Sequence, residues 1–203
     1  QNGCTALALT DHGNMNGLAH QVLHAKKMQS EGKDFKPIFG VEAYFIPSIE
    51  DWRTDYEEAR AKVKNKKKES QSGTTIEDED ASKKAVKDVL RRRAHLVLVA
   101  QNQTGLNNLF KLISESYQPE NFYRYPRMDY ALLKKYSEGI IASSACLGGV
   151  YAQDFWHSWE TDEDGNRTFD EPACLNRMCE TTKRMQDIFG DRWYGELQWN
   201  NVP

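Results

Sequence analysis

Four side chains with metal-binding or acid–base chemistry stand near the ends of apolar runs. His12 follows Asp11 just after Ala6-Leu7-Ala8-Leu9, Glu42 lies late in residues 37–46, Cys146 closes residues 139–146, and His95 comes just before residues 96–100. Imidazole, carboxylate and thiolate together are the donors that a borderline metal such as zinc takes, while iron or manganese favours the nitrogen and oxygen donors. In folds of parallel strands covered by helices, reactive residues gather where strands end and loops begin. That rule brings His12, Glu42 and Cys146 to one place. His95 precedes its strand, so it joins them only if the strand begins later or the chain bends there. Two alternatives stay open: an imidazole after a strand also serves as a hydrogen-bonded structural residue, and an isolated buried cysteine as a small hydrophobe.

Strands and helices alternate along the chain to hold these positions. Residues 6–9 read as a short strand buried on both faces. Asn16 caps a helix over about 17–30, with Leu18, Val22, Leu23 and Met28 on its apolar side. Strands follow at 37–46 and 96–100. Thr104 then caps a helix carrying Leu106, Leu109, Phe110 and Ile113. A fourth strand covers 139–146. Asp170-Glu171-Pro172 opens a helix that Gly190 stops, and 193–199 form a fifth strand. The polar stretch 157–169 reads as a surface loop. Short, non-alternating apolar strands separated by helices indicate a parallel α/β fold, open or closed into a barrel.

Composition narrows the class. The 203 residues carry a net charge of −3, but residues 60–93 hold 12 Lys/Arg against 6 Asp/Glu, leaving 15 against 24 elsewhere. Such a run is a solvated, partly helical excursion, or else an arm that meets nucleic-acid phosphates through Lys66, Lys67, Lys68 and Arg91, Arg92, Arg93. No aromatic interleaves those lysines, so base stacking is not expected there. Tyr123, Arg124, Tyr125 and Arg127 form a second aromatic–basic group that either faces DNA or packs as a loop. No apolar run is long enough to span a membrane and no export leader opens the chain. Cys4, Cys146, Cys174 and Cys179 form no C-x-x-C pair, which favours free thiols in a reducing cytoplasm.

Six ordered blocks carry a family resemblance: T-D-H-G-N-M-N-G-L-A (10–19), K-P-I-F-G-V-E-A-Y (36–44), H-L-V-L-V-A-Q-N-Q-T-G-L-N-N-L (95–109), Y-R-Y-P-R-M-D (123–129), S-E-G-I-I-A-S-S-A-C-L-G-G (137–149) and I-F-G-D-R-W-Y-G-E-L-Q (188–198). Together they resemble the polymerase-and-histidinol-phosphatase (PHP) domain that begins the alpha subunit of bacterial-type DNA polymerase III, in a version similar to those of bacterial viruses and some bacteria. The resemblance implies a distorted, seven-stranded (β/α) TIM-like barrel, with residues 49–93 as a charged insertion. It implies His12, Glu42, His95 and Cys146 as ligands of divalent zinc, manganese or iron, with Asp11 behind His12. It implies a metal-dependent phosphoesterase removing 3′ nucleotides with water activated by metal, or a non-catalytic scaffold where ligands are lost. A stand-alone phosphoesterase of small esters is a third reading. The implied parent is a DNA-directed DNA polymerase that uses Mg and deoxynucleoside triphosphates and engages DNA, the rest of the polymerase chain, and a sliding clamp or proofreading subunit.

The chain also departs from the family pattern. The H-x-H strand that precedes T-D-H and the closing N-D-x-H are not in these 203 residues, so the resemblance implies a domain incomplete at both ends. His20 and His24, four apart, read as a polar helix face. Of Cys174 and Cys179, five apart on the last helix, one reads as core and neither as a ligand. Trp156, Trp159 and Trp199 either stack on bases or pack.

Overall fold

The computed structural model describes the backbone of residues 3–69 and 76–199 and, within these, the side chains outside 66–83. Four strands position the site: β1 (Ala6–His12), β2 (Lys36–Phe45), β3 (Ala94–Ala100) and β6 (Ile140–Ser143). β2 is the hub. β1 pairs with it in parallel over Lys36–Glu42, and β5 (Tyr125–Met128) continues along the same edge in parallel at Tyr44 and Phe45. β3 runs antiparallel on the other edge, with Glu42 opposite Val97 and Tyr44 opposite His95. β6 then pairs antiparallel with β3, and β9 (Trp193–Tyr194) parallel with β6. The fold is therefore mixed α/β, and the all-parallel sheet expected from the strand pattern is corrected by β3. Among the described residues the sheet ends on β4 (Phe122–Tyr123) and β9, and no ladder joins them.

Alternation along β2 and β3 sorts their side chains by face. Val41, Ala43, Phe45, Leu96 and Leu98 are buried beneath Leu109 and Leu112 of α4 (Gln103–Ser116), Leu133 of α5 (Tyr130–Tyr136), and Met185 and Phe189 of α7 (Glu171–Phe189). Each fully buried leucine contributes about 2 kcal/mol of transfer free energy. Glu42, Tyr44 and His95 occupy the opposite face, partly buried. β1 departs from its expected burial: Leu7 is exposed.

Caps differ from expectation where a nearby polar side chain competes. Asn102, not Thr104, accepts from Gly105 N to start α4. Gly17 precedes α1 (Leu18–Ser30) without a side-chain cap, and its own N–H is taken by Asp11. Residues 157–169 are not only loop: β7 (Trp159–Thr161) and β8 (Arg167–Phe169) form a hairpin after α6 (Val150–Trp156). All four cysteines are free. Among the described residues no helix is long and apolar enough to cross a membrane.

The charged stretch folds as two helices, α2 (Ile49–Glu69) and α3 (Ile76–Arg91), between β2 and β3. Trp52, Ala59, Val89 and Leu90 give this pair its own small core, and Trp52 Nε1 donates to Val89 O at 2.9 Å. Arg127 ties the pair to the sheet. Its guanidinium is fully buried, donates to the carbonyls of Leu90 (2.7 Å), Tyr123 (2.9 Å) and Tyr125 (3.3 Å), and lies 4.2 Å from the Trp52 ring. Burial pushes its pKa down to about 10, which leaves it charged at neutral pH. An arginine enclosed in this way has no donor facing solvent, which corrects its reading as a DNA contact. Replacing it orphans several buried carbonyls at about 1–3 kcal/mol each. Arg127→Ala is expected to lose about 3 kcal/mol and roughly 6–12 °C in Tm by circular dichroism, whereas exposed Arg124→Ala should stay within about 0.5 kcal/mol.

Candidate metal centre

The antiparallel course of β3 explains how His95 reaches the site. Its first residues lie beside the last residues of β2 and β6, so an imidazole at the start of β3 meets side chains from the ends of the other strands. His95 Nδ1 is 2.7 Å from Glu42 Oε1, and Cys146 Sγ is 3.4 Å from His95 Nδ1 and 4.0 Å from Glu42 Oε1. His12, opposite Glu42 at the end of β1, brings its Nδ1 to 3.4 Å from Glu42 Oε2. The Glu42 carboxylate thus faces two imidazoles with its two oxygens. His12 is open, with 60% of its side chain exposed, while Glu42 and His95 are more enclosed.

Local backbone aims each donor. Gly13 turns the chain directly after His12 at φ +67°, its N–H bonded to Glu42 O, and a Cβ there would lie 2.9 Å from Pro126 Cγ. Cys146 is presented by a loop in which Ala145 holds φ +59°, a left-handed conformation that costs a residue with a Cβ about 1–2 kcal/mol. The loop is fixed on three sides: Gly149 N donates to Cys146 O, His95 N donates to Gly148 O, and Gly148 N donates to Cys146 Sγ. A Cβ at Gly149 would fall 1.9 Å from Ser144 O.

A single ion bonded at about 2.0–2.3 Å needs ligand atoms roughly 3.3–3.8 Å apart in a tetrahedral site. Cys146 Sγ and His95 Nδ1 at 3.4 Å match this spacing, and one atom each from Glu42, His95 and Cys146 lies within 4.8 Å of the others, while Glu42 Oε1 and His95 Nδ1, in contact at 2.7 Å, would part to admit an ion. The donor chemistry fits a divalent cation, with sulfur favouring zinc and the carboxylate and imidazoles equally serving manganese or iron.

Asp11 points elsewhere. Alternation along β1 turns it to the face opposite His12, where its carboxylate accepts from Gly17 N at 2.7 Å and anchors the start of α1. Arg92 pairs with Asp55. Arg124 is exposed at the β4–β5 turn. The side chains of Lys66 and Lys67 lie outside the described residues. Two further side chains support the site: Tyr44, which the sequence did not single out, and Arg93, which it offered only as a phosphate contact. Tyr44 packs its ring edge-on to His95 at 5.7 Å and parallel to His12 at 6.3 Å; Arg93 lies over Tyr125 at 4.0 Å and Tyr44 at 5.5 Å. Tyr44 is two residues from Glu42 on the same face of β2, a period-two spacing that was the available signal, whereas Arg93 lies in the short connection just before β3.

The chain belongs to the PHP domain family, which it matches over residues 1–200. It is similar to proteins named DNA polymerase III subunit alpha. That of Aquifex aeolicus is 34% identical over 99% of this chain and 13% of its own length, and that of Campylobacter jejuni 34% over 100% and 13%. In Deinococcus radiodurans the values are 29% over 98% and 11%. The chain thus spans 11–13% of the length of these relatives.

Burial holds the His95 pKa below the usual imidazole value; the nearby Glu42 carboxylate opposes this, while His12 and Arg93 add to it. A depressed imidazole pKa stabilises the fold above the unfolded value, about 6.5, and that contribution is lost as pH falls through the folded value. Removing the opposing charge should depress it further. In metal-free protein, an NMR titration of the His95 ring is expected to give a midpoint below 6.5, and Glu42→Gln a lower one still; a rise in the variant would contradict this electrostatic account.

Proposed function

We propose that this domain is a metal-dependent phosphoesterase that removes nucleotides from DNA 3′ ends, within a DNA polymerase III alpha subunit. The observation that carries the phosphoesterase reading is the oxygen–nitrogen–sulfur donor set of Glu42, His95 and Cys146 beside His12. The polymerase context is supported by relatives of that name aligned over 98–100% of this chain. In this reading the chain is a PHP domain whose sheet belongs to a distorted seven-stranded (β/α) barrel, with residues 49–93 inserted between β2 and β3. The parent would be cytoplasmic, would use Mg and deoxynucleoside triphosphates, and would engage DNA, the rest of the polymerase chain, and a sliding clamp or proofreading subunit.

His12, Glu42, His95 and Cys146 hold divalent ions, zinc, manganese or iron, and transfer no proton themselves. Bound divalent ions supply a water of lowered pKa, near about 7, and an electrostatic clamp on the scissile phosphate. Tyr44 and Arg93 keep the imidazoles in place from behind, and Asp11 fixes the segment that follows His12. Water adds across the terminal P–O3′ bond, releasing a deoxynucleoside 5′-monophosphate and leaving a 3′-hydroxyl on the shortened strand. Arg124 and, in the insertion, Lys66, Lys67 and Arg92 would meet the DNA backbone, Arg92 by exchanging its ion pair with Asp55 for a phosphate.

The full-length chain tests this with a 3′-labelled strand and no nucleotide triphosphates. Glu42→Ala and His95→Ala are expected to cut metal-dependent mononucleotide release by about 100-fold or more, with matching loss of bound metal by mass spectrometry. Unchanged release in the double variant would overturn the reading in favour of a scaffold whose excision comes from elsewhere. Cys146→Ser replaces the soft donor with a hard one and is expected to shift the preferred ion from zinc towards manganese.

A further inference from the structure

A second feature borders the donor cluster and shares only Cys146 with it. Between the 144–149 loop and α6 lies a cavity of about 500 Å³, with Cys146 in its lining. Tyr151, Phe155, Trp156 and Met178 wall it, and Glu196 and Gln198 close one side. The walls are held from outside. The Tyr151 hydroxyl shares a hydrogen bond with Thr182 Oγ1 at 2.7 Å and accepts from Trp193 Nε1 at 3.1 Å. Phe155 packs against Trp159 and Phe169 of the hairpin. Trp156 packs edge-on to Phe155 at 5.1 Å yet stays 53% exposed.

An exposed tryptophan on a braced aromatic wall beside a candidate phosphoesterase centre has the composition of a stacking platform. Charge places the two halves of a nucleotide. Among the described residues no lysine or arginine lines the cavity, and the one charged side chain there is the Glu196 carboxylate. That carboxylate already accepts from Ser143 Oγ at 2.7 Å, while Glu196 N donates to Ser144 Oγ, so the acid is fixed at the rim. An anionic phosphate is disfavoured there, whereas a neutral base with exocyclic N–H groups is not. Because Cys146 belongs to both the cluster and the cavity, one nucleotide can extend from one into the other.

We propose that this groove is a nucleobase subsite, in which the base of the 3′-terminal nucleotide stacks on Trp156 against the Tyr151–Phe155 wall while its phosphate lies at the Glu42–His95–Cys146 cluster. The proposal rests on the phosphoesterase reading for the phosphate and on the groove alone for the base. Stacking on any base makes the subsite tolerant of sequence but dependent on a base being present.

The test uses the full-length chain and separates the two. In EDTA, deoxyadenosine 5′-monophosphate is expected to quench tryptophan fluorescence saturably. 2-Deoxyribose 5-phosphate is expected not to do so, and Trp156→Ala to abolish the saturable quench. With metal restored, the wild type should prefer a 3′ end bearing a base over an abasic 3′ end. Trp156→Ala should lower that preference about tenfold, mostly through KM, while Trp156→Phe retains it. Absence of saturable quenching, or quenching that survives in Trp156→Ala, overturns the subsite. A groove filled by another part of the protein gives that same result. If the wild type quenches normally but cleaves neither end, the phosphoesterase reading fails and the base site stands.

Discussion

The register between β2 and β3 is the constraint on which the site depends. Glu42 faces Val97 and Tyr44 faces His95, so the carboxylate, the phenol and the imidazole share one face while Val41, Ala43, Leu96 and Leu98 fill the core on the other. A slip of one residue would bury Glu42 and His95 among leucines and expose the core at once. The apolar packing that stabilises the sheet therefore also fixes the donor geometry. The 2.7 Å contact between Glu42 and His95 follows from burial of their neighbours more than from their mutual attraction.

Around that ladder the chain spends conformational strain and glycine where the donors must be aimed. Gly13 turns the backbone after His12, and Ala145 accepts a left-handed conformation before Cys146. Both lie at the rim where β1, β2 and β6 end. The charged insertion is anchored by a buried guanidinium, opposite Tyr44 in the β2–β5 ladder, whose donors are spent on carbonyls of α3 and the β4–β5 hairpin. Trp52, Ala59, Val89 and Leu90 give the two-helix unit a small core of its own, joined by Ile46 from the segment that follows β2.

The cavity at α6 extends the same logic to ligand recognition. Aromatic side chains that would be costly to expose on an ordinary surface are braced by the α7 threonine Thr182 and by the β7–β8 hairpin. The polar cluster and the apolar groove meet at a single residue, Cys146, so one loop orients both.

Much of this was written locally in the chain. The strand at 37–46, the helix opened by Asp170 and stopped near Gly190, the family blocks, and the identity of His12, Glu42, His95 and Cys146 as ligand-competent residues follow from spacing, capping chemistry and side-chain type, which are properties of short segments. Three matters were decided only in three dimensions. The direction of β3 is set by long-range pairing with β2 and β6, and it converts His95 from an outlier into the centre of the cluster. The fate of Arg127 depends on which surfaces close over it: the same cation that reads as a phosphate contact in sequence becomes an interior tie once α3 and the β4–β5 hairpin meet around it. The partner of Asp11 is set by strand alternation together with the entry of α1, which turns it from His12 to Gly17. Residue type and local spacing determine what a side chain can do; only the packing of distant segments determines what it faces.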